Sequence, residues 1–532
     1  MDMPDRLEVA PVEAPPEARG AEPSSRHAHR LSVHPLLRNI GLTGVTSVVT
    51  SVAAMIVISL VGRILGPVLL GEYLLVRRIA SWLQAVVVLP SGIALPRYVA
   101  ASVNKPASTR QTYFLGAIVT ACGLALLLTA ILVPWKDAVS RVIFGSAEMA
   151  PLALPLGLLL VGLAAHGAAF GYYQGTLSMG RACTAQLLNL AIIPVLAVVL
   201  LSHEHSIPRI IEATGISMLG CAFLFSAPIL RGMVLAGAAR RTLEHVPELL
   251  SFGLSRTWGD FGLQALLSLP AVIATHYLPM KSVSYLLLGG SFLALVAAAT
   301  LPLGIILLSQ VTRSLAQQSA AQLTNRLAHF VDGLIESSIF VALQMLVFAG
   351  VIVRLWVGPS FADATRVVQL LILAVPFYFV YGGLRSVVDA AAIKAYNTRN
   401  ILISLTVFAA AVGIVRFGIA RDHLLEGLAF TVVIAMAVLC WLTLRTTRRL
   451  FALRLRWTNV LLGVGVAVIL GVCSVVLRGA FHFEPGFVML FFYQVTLAGM
   501  YFGTLWLLGS PWLRFVIRTM FSIQPSGLRS AD

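Results

Sequence analysis

Any chemistry in this chain must come from a small set of charged residues embedded in apolar stretches. Arg77 and Arg78 stand together in one stretch, and Arg256 and Arg385 stand in two others, each followed four positions later by a carboxylate, Asp260 and Asp389. An arginine near the centre of a membrane helix costs roughly 2.5 to 3.5 kcal/mol on insertion scales, so it faces a cavity or a partner instead of lipid. Guanidinium offers a planar fork of donors that can grip phosphate at two points. The chemistry to look for is therefore recognition of a pyrophosphate or an acidic sugar. Residues four apart share a helix face, which leaves Arg256 and Arg385 two roles, as self-neutralised pairs inside the bundle or as cations lining a lumen. Arg77 and Arg78 diverge by about 100°, and Glu72 lies five or six positions back, so at least one of them lacks a local counter-ion. Its alternative is to snorkel to the outer interface.

The acidic residues Glu72, Asp260, Glu336 and Asp389, with Asp332 one turn before Glu336, have two open roles. They can pair with cations or bind a coupling proton or sodium ion, and spacing alone does not separate the two. No catalytic constellation, metal site or cofactor motif stands out. His203, Glu204 and His205 are adjacent in a loop, and the five cysteines (Cys122, Cys183, Cys221, Cys440, Cys473) lie in apolar stretches without zinc-ligand spacing. Gly289-Gly290 and Gly382-Gly383 suit close helix packing, and Pro90, Pro302 and Pro376 are candidate kinks.

The elements that position these residues follow from composition. Of 532 residues 58% are hydrophobic and 11% charged, against about 25% charged in an ordinary soluble domain. About twenty apolar residues cross the hydrocarbon core, and stretches of that length follow one another through the chain. Their limits are near 42–62, 72–95, 112–134, 151–177, 184–202, 209–230, 250–275, 283–309, 330–353, 366–393, 400–420, 425–444, 458–477 and 486–509. The expected fold is an all-α polytopic membrane protein of about fourteen transmembrane helices. A net charge of +16 could suggest nucleic acid, but the basic residues are spread over short connectors and form no single patch. Lys and Arg divide 22 to 10 between the two sides, which by the positive-inside rule places both termini in the cytoplasm.

Tyr73-Leu74-Leu75 followed by Pro90-Ser91-Gly92-Ile93 is echoed by Tyr285-Leu286-Leu287 followed by Pro302-Leu303-Gly304-Ile305, 212 residues later. A repeat of six spans keeps its orientation and implies two parallel-related lobes facing each other. The expected organisation is a disordered cytoplasmic tail (1–41) whose basic end meets lipid headgroups, an N-lobe (42–230) and a cytoplasmic linker (231–249). A C-lobe (250–444), a basic linker (445–457), two additional C-terminal helices (458–509) and a cytoplasmic tail (510–532) follow.

Several segments resemble the multidrug, oligosaccharidyl-lipid and polysaccharide exporter superfamily, and within it the polysaccharide and O-antigen flippases. Arg63-Ile64-Leu65-Gly66-Pro67 with Gly71-Glu72-Tyr73 looks like that family's first external connector. Tyr173-Gln174-Gly175 with Gly180-Arg181 is similar to the end of its fourth helix, and Leu355-Trp356-Val357-Gly358-Pro359-Ser360-Phe361 to the connector before its tenth. Lipid II flippases are similar too, through Arg63, Glu72 and Ser282-Val283-Ser284-Tyr285, but where they carry an Asp-Arg pair this chain has Gly290 and Ser291.

The resemblance implies a transporter of the bacterial inner membrane, not an enzyme. By alternating access it would move a polyprenyl-pyrophosphate-linked oligosaccharide from the cytoplasmic to the periplasmic leaflet, for exopolysaccharide, capsule or O-antigen (lipopolysaccharide) synthesis. Proton or sodium coupling, membrane lipids and the pathway's glycosyltransferases and polymerase are the associated expectations, with Arg63 joining Arg77, Arg78, Arg256 and Arg385 as substrate-binding cations. The rivals are a polysaccharide polymerase or ligase and a drug or lipid II exporter of the same superfamily. The first would need a large external loop, and no external connector here exceeds about twenty residues. A drug exporter would have twelve spans.

Overall fold

The computed structural model describes residues 33–231, 235–317, 320–392, 394–418, 421–453, 457–481 and 486–514, and among them every regular element is helical. The tail before residue 33, the residues after 514 and the side chain of Arg256 lie outside the described set.

The first half begins with α1 (Val33–Val87), a single helical element that holds both of the first two expected spans. It starts ahead of residue 42, so the end of the expected disordered tail is helical, with Pro35 in the first turn, where a missing N–H is harmless. Its two limbs meet at Gly66, whose φ of 81° and ψ of −178° suit a residue without Cβ, and Pro67 follows at once. A π turn (Pro90–Ala94) realises the kink expected at Pro90 and leads into α2 (Leu95–Ala101), α3 (Ala107–Leu132), α4 (Lys136–Ile143) and α5 (Ala153–Gly175). The fifth span is divided into α6 (Met179–Leu187), a second π turn (Leu188–Ile192) and α7 (Ile193–Leu201), before α8 (Ile207–Leu230).

The second half opens with α9 (Leu235–Thr275), in which residues 235–249 of the expected linker are helical and continuous with the seventh span. There follow α10 (Met280–Gln317), α11 (Ala320–Val357), α12 (Thr365–Ile372) and α13 (Val375–Ala391). The last two form one bent element, turned by 45° with Pro376 at the start of α13. Next come α14 (Tyr396–Gly418), α15 (Leu424–Phe451), α16 (Trp457–Phe481) and α17 (Phe487–Leu507).

Among the described residues, eleven helices are long and apolar enough to cross a membrane, or twelve when the bent pair counts as one span. The sequence count of fourteen is larger because it separates the two limbs of α1 and includes α9, which has the length but carries Asp260 and Gln264 in its apolar part.

Close packing depends on small residues. A Cβ on Gly215 of α8 would lie 2.7 Å from the backbone of Leu158 and Leu159, and one on Gly162 of α5 would lie 2.8 Å from the Gly215 carbonyl, so these helices meet backbone to backbone. In the second half α13 packs on α10, α11 and α15, while α1 joins the halves by packing on both α9 and α10. The interval seen in the sequence reappears here. Gly145 and Gly358 both take positive φ, and the 3-10 turns that follow, Ala147–Leu152 and Pro359–Ala364, begin 212 residues apart. The last two helices have their own apolar core, in which Phe340, Phe348 and Val351 of α11 meet Leu470 of α16 and Leu490, Leu497 and Tyr501 of α17.

Candidate functional site

Two adjoining cavities lie where α1, α9, α10 and α13 converge. The larger, about 450 Å³, is lined by Arg78, Ser81, Gln84, Thr257, Asp260, Gln264, Tyr378 and Arg385. The smaller, about 200 Å³, lies toward the Gly66 kink and takes in Arg77, Arg78, Ser51, Ser81, Ser291 and Trp356. Arg78 belongs to both.

The second limb of α1 carries both arginines, and their directions differ because consecutive helical residues do. Arg78 Nη2 donates to the carbonyl oxygen of Gly290 in α10 at 2.9 Å, and a Cβ at Gly290 would stand 3.4 Å from that nitrogen. The two residues are separated by the same 212 positions as the sequence repeat. Among the described residues neither Arg77 nor Arg78 has a carboxylate within ion-pair distance. Arg78 is thus steered by a neutral acceptor and keeps its charge for the cavity. Glu72, near the start of the same limb, is half-buried and forms no ion pair with either arginine.

On the opposite wall Arg385 of α13 donates to Asp260 Oδ1 of α9 at 2.5 Å and lies 4.0 Å from Asp389 Oδ2 on its own helix. The Asp260 carboxylate is thus held by Arg385 from another helix, while the i, i+4 partner expected for it, Arg256, has its side chain outside the described residues. Asn397, at the start of α14, donates from Nδ2 to Asp389 Oδ1 at 2.8 Å and to the Arg385 carbonyl at 2.9 Å. One guanidinium therefore serves two carboxylates, with an amide fixing the second. Tyr378 and Tyr381 stack one turn apart above this group, with ring centroids 6.0 Å apart.

Two expected site residues lie away from the cavities. Arg63, at the Gly66 end, donates from Nε to the Trp356 carbonyl at 3.2 Å and from Nη2 to the Leu355 carbonyl. It caps the last turn of α11, where the helix dipole favours a cation. Trp356 Nε1 donates in turn to the Met55 carbonyl at 2.8 Å, so α1 and α11 are hydrogen-bonded in both directions at this end. Glu336 is buried on α11 against α16 and α17 and does not line either cavity.

At the other end of the bundle, Arg97 lies 4.5 Å above the Phe252 ring, and Tyr113 stacks on His245 at 4.1 Å while its hydroxyl donates to Glu248 at 3.1 Å. In the His203-Glu204-His205 loop, Arg209 pairs with Glu204 at 2.8 Å, and no group of three metal-ligating side chains occurs among the described residues.

Sequence reasoning singled out the arginines and acids but missed Gln84, Gln264, Asn397, Tyr378 and Tyr381. A polar amide within an apolar stretch was the available signal for Gln84 and Gln264. Asn397 sits at a helix start, where such residues are common, and so carried none.

The helices that converge on these two cavities form a fold shared with solved membrane transporters. The structure is similar to the lipid II flippase MurJ in its inward closed conformation, with a TM-score of 0.68 and 14% identity over 89% of this chain and 99% of that one. It is also similar to an inward-facing multidrug resistance MATE family transporter of the MOP superfamily, with a TM-score of 0.61 and 14% identity over 76% of this chain and 94% of that one. A eukaryotic MATE transporter gives 0.56 at 15% identity, over 81% and 100%. No family model and no curated protein matches the sequence.

Proposed function

We propose that the protein is a flippase that carries a polyprenyl-pyrophosphate-linked oligosaccharide from the cytoplasmic to the periplasmic leaflet of the bacterial inner membrane by alternating access. The carrying observation is the pair Arg77 and Arg78, two cations in the central chamber with no carboxylate beside them among the described residues. A diphosphate supplies the missing negative charge, and each charge-assisted hydrogen bond to it is worth about 1.5 to 3 kcal/mol. The larger cavity offers the amides of Gln84 and Gln264, the hydroxyls of Ser81 and Thr257 and the Tyr378 ring, groups suited to a sugar. A cationic chamber of this kind does not suit a cationic drug.

Counting the two limbs of α1, the bent α12–α13 pair and α9 gives fourteen spans in this reading, two six-span lobes and a C-terminal pair, with both termini cytoplasmic. Arg385 with Asp260 and Asp389 is the site at which a proton or sodium ion would couple to movement. Glycosyltransferases and a polymerase of an exopolysaccharide, capsule or O-antigen pathway are the partners this function implies.

Replacing both Arg77 and Arg78 with Gln is expected to leave the protein abundant and inserted, while surface polysaccharide falls at least ten-fold and lipid-linked repeat units accumulate. Lys at both positions should restore part of the export. Normal export by the Gln pair would overturn the assignment.

A second reading, export of lipid II, is favoured by one contact. The Asp-Arg pair of lipid II flippases is replaced here by Gly290 and Ser291 in α10, yet the Arg78 guanidinium reaches the Gly290 carbonyl from α1. Complementation of strains lacking a lipid II flippase, set beside strains lacking a repeat-unit flippase, separates the two.

A further inference from the structure

Outside the central chamber one carboxyl group is enclosed by the two C-terminal helices. Glu336 of α11 is 0% exposed. Its Oε2 accepts a hydrogen bond from Trp512 Nε1 at 2.7 Å, and its Oε1 is buried with no hydrogen-bond partner. Tyr501 of α17 donates to the Glu336 backbone carbonyl at 3.1 Å, and α16 approaches so closely at Gly463 that a Cβ there would stand 2.6 Å from Glu336 Cγ. Trp512 also lies across Gly333, where a Cβ would meet its ring at 2.7 Å.

The charged and titratable groups around this point are few. Asp332 is one turn back on the same face of α11, with His329 another turn away, and both are buried. Tyr501 comes from α17, α16 presents glycine, and Arg514 in the last turn is exposed and folded over Gly509. Among the described residues no cation lies within ion-pair distance of Glu336. A fully buried ionised carboxylate with a single hydrogen bond is strongly disfavoured inside a membrane bundle.

We infer that Glu336 is a proton-binding site: it holds a proton while α16, α17 and Trp512 are seated on α11, and releases it when this C-terminal pair lifts away. The ligand is a proton and the element it governs is the C-terminal pair, so the inference stands apart from the identity of the transported lipid.

The test uses the full-length protein in lipid nanodiscs. Infrared spectroscopy at neutral pH should show a buried protonated carboxyl band that is missing from E336Q. Spin labels at the exposed positions Val341 on α11 and Leu461 on α16 should report one separation at acidic and neutral pH and a longer one at alkaline pH. In E336Q, whose amide mimics the protonated acid, the short separation should persist at every pH. Trp512→Phe, which removes the indole donor while keeping a ring, should lengthen the separation at a lower pH than in the wild type. Either a band unchanged by E336Q or a separation that moves with pH equally in E336Q and wild type overturns the inference. If E336Q does not fold, the band and the wild-type distance profile alone still decide: no protonated carboxyl at neutral pH, or no change in distance, refutes it.

Discussion

Arg385 shows how a residue can be found in sequence while its partners are not. Spacing picked out Asp389 four positions on, and the structure puts that carboxylate 4.0 Å away, but the tighter partner is Asp260 from α9 at 2.5 Å. No periodicity within one helix encodes a contact between two. The same applies to Arg78: the sequence shows that at least one of Arg77 and Arg78 lacks a local counter-ion, but not that Arg78 is anchored on a backbone carbonyl in α10. The Arg385 group is about one-third exposed, so solvent weakens it relative to a fully buried pair. Arg385→Gln, which removes the guanidinium that serves both Asp260 and Asp389, is expected to cost about 1 to 3 kcal/mol and lower the thermal midpoint in detergent. Exchanging the pair, Asp260→Arg with Arg385→Asp, should recover part of that loss. An unchanged midpoint for Arg385→Gln would show that the pair contributes nothing.

Among the elements, hydropathy located the apolar stretches but not their continuity. A run of apolar residues marks the part of a helix that lies in lipid, whereas the helix itself continues as long as its backbone hydrogen bonds are made. This is why α1 begins before its apolar run and why the basic segment ahead of the seventh span is part of α9. Proline gave real information, since Pro90 and Pro376 both stand at breaks, while α10 passes residue 302 without interruption. The contact between α5 and α8 is the element-level feature most open to test. With backbone atoms 2.7 Å from a Cβ at Gly215, Gly215→Val must push the helices apart. Overpacking of this kind costs about 1 to 3 kcal/mol, and the variant should show reduced thermal stability and yield. Gly220, where a Cβ meets nothing within 4 Å, is the control, and Gly220→Ala should be neutral. Equal effects at the two positions would refute the backbone-contact account.

For the whole molecule, the fold class was legible because the charge fraction and the repeated apolar runs leave few alternatives, and the 212-residue interval was legible because it survives at Tyr73 and Tyr285. The chamber was less so, since Gln84, Gln264 and Tyr378 come from elements far apart in sequence. Orientation is open to direct measurement. A membrane-impermeant thiol reagent added to intact cells should label cysteines placed at Lys136, Lys281 and Arg416, and should spare one at Arg449 unless the membrane is opened. Labelling at Arg449 in intact cells would invert the topology.

Arg78 and Gly290 are counterparts under the repeat interval, and they touch. A Cβ at Gly290 would already stand 3.4 Å from Arg78 Nη2, so the space between the two backbones holds one guanidinium and excludes a second. Either of the two positions could in principle supply it. Transposing it, with Arg78→Gly and Gly290→Arg in one protein, should return a guanidinium to the same spot and restore part of the export that Arg78→Gly alone removes.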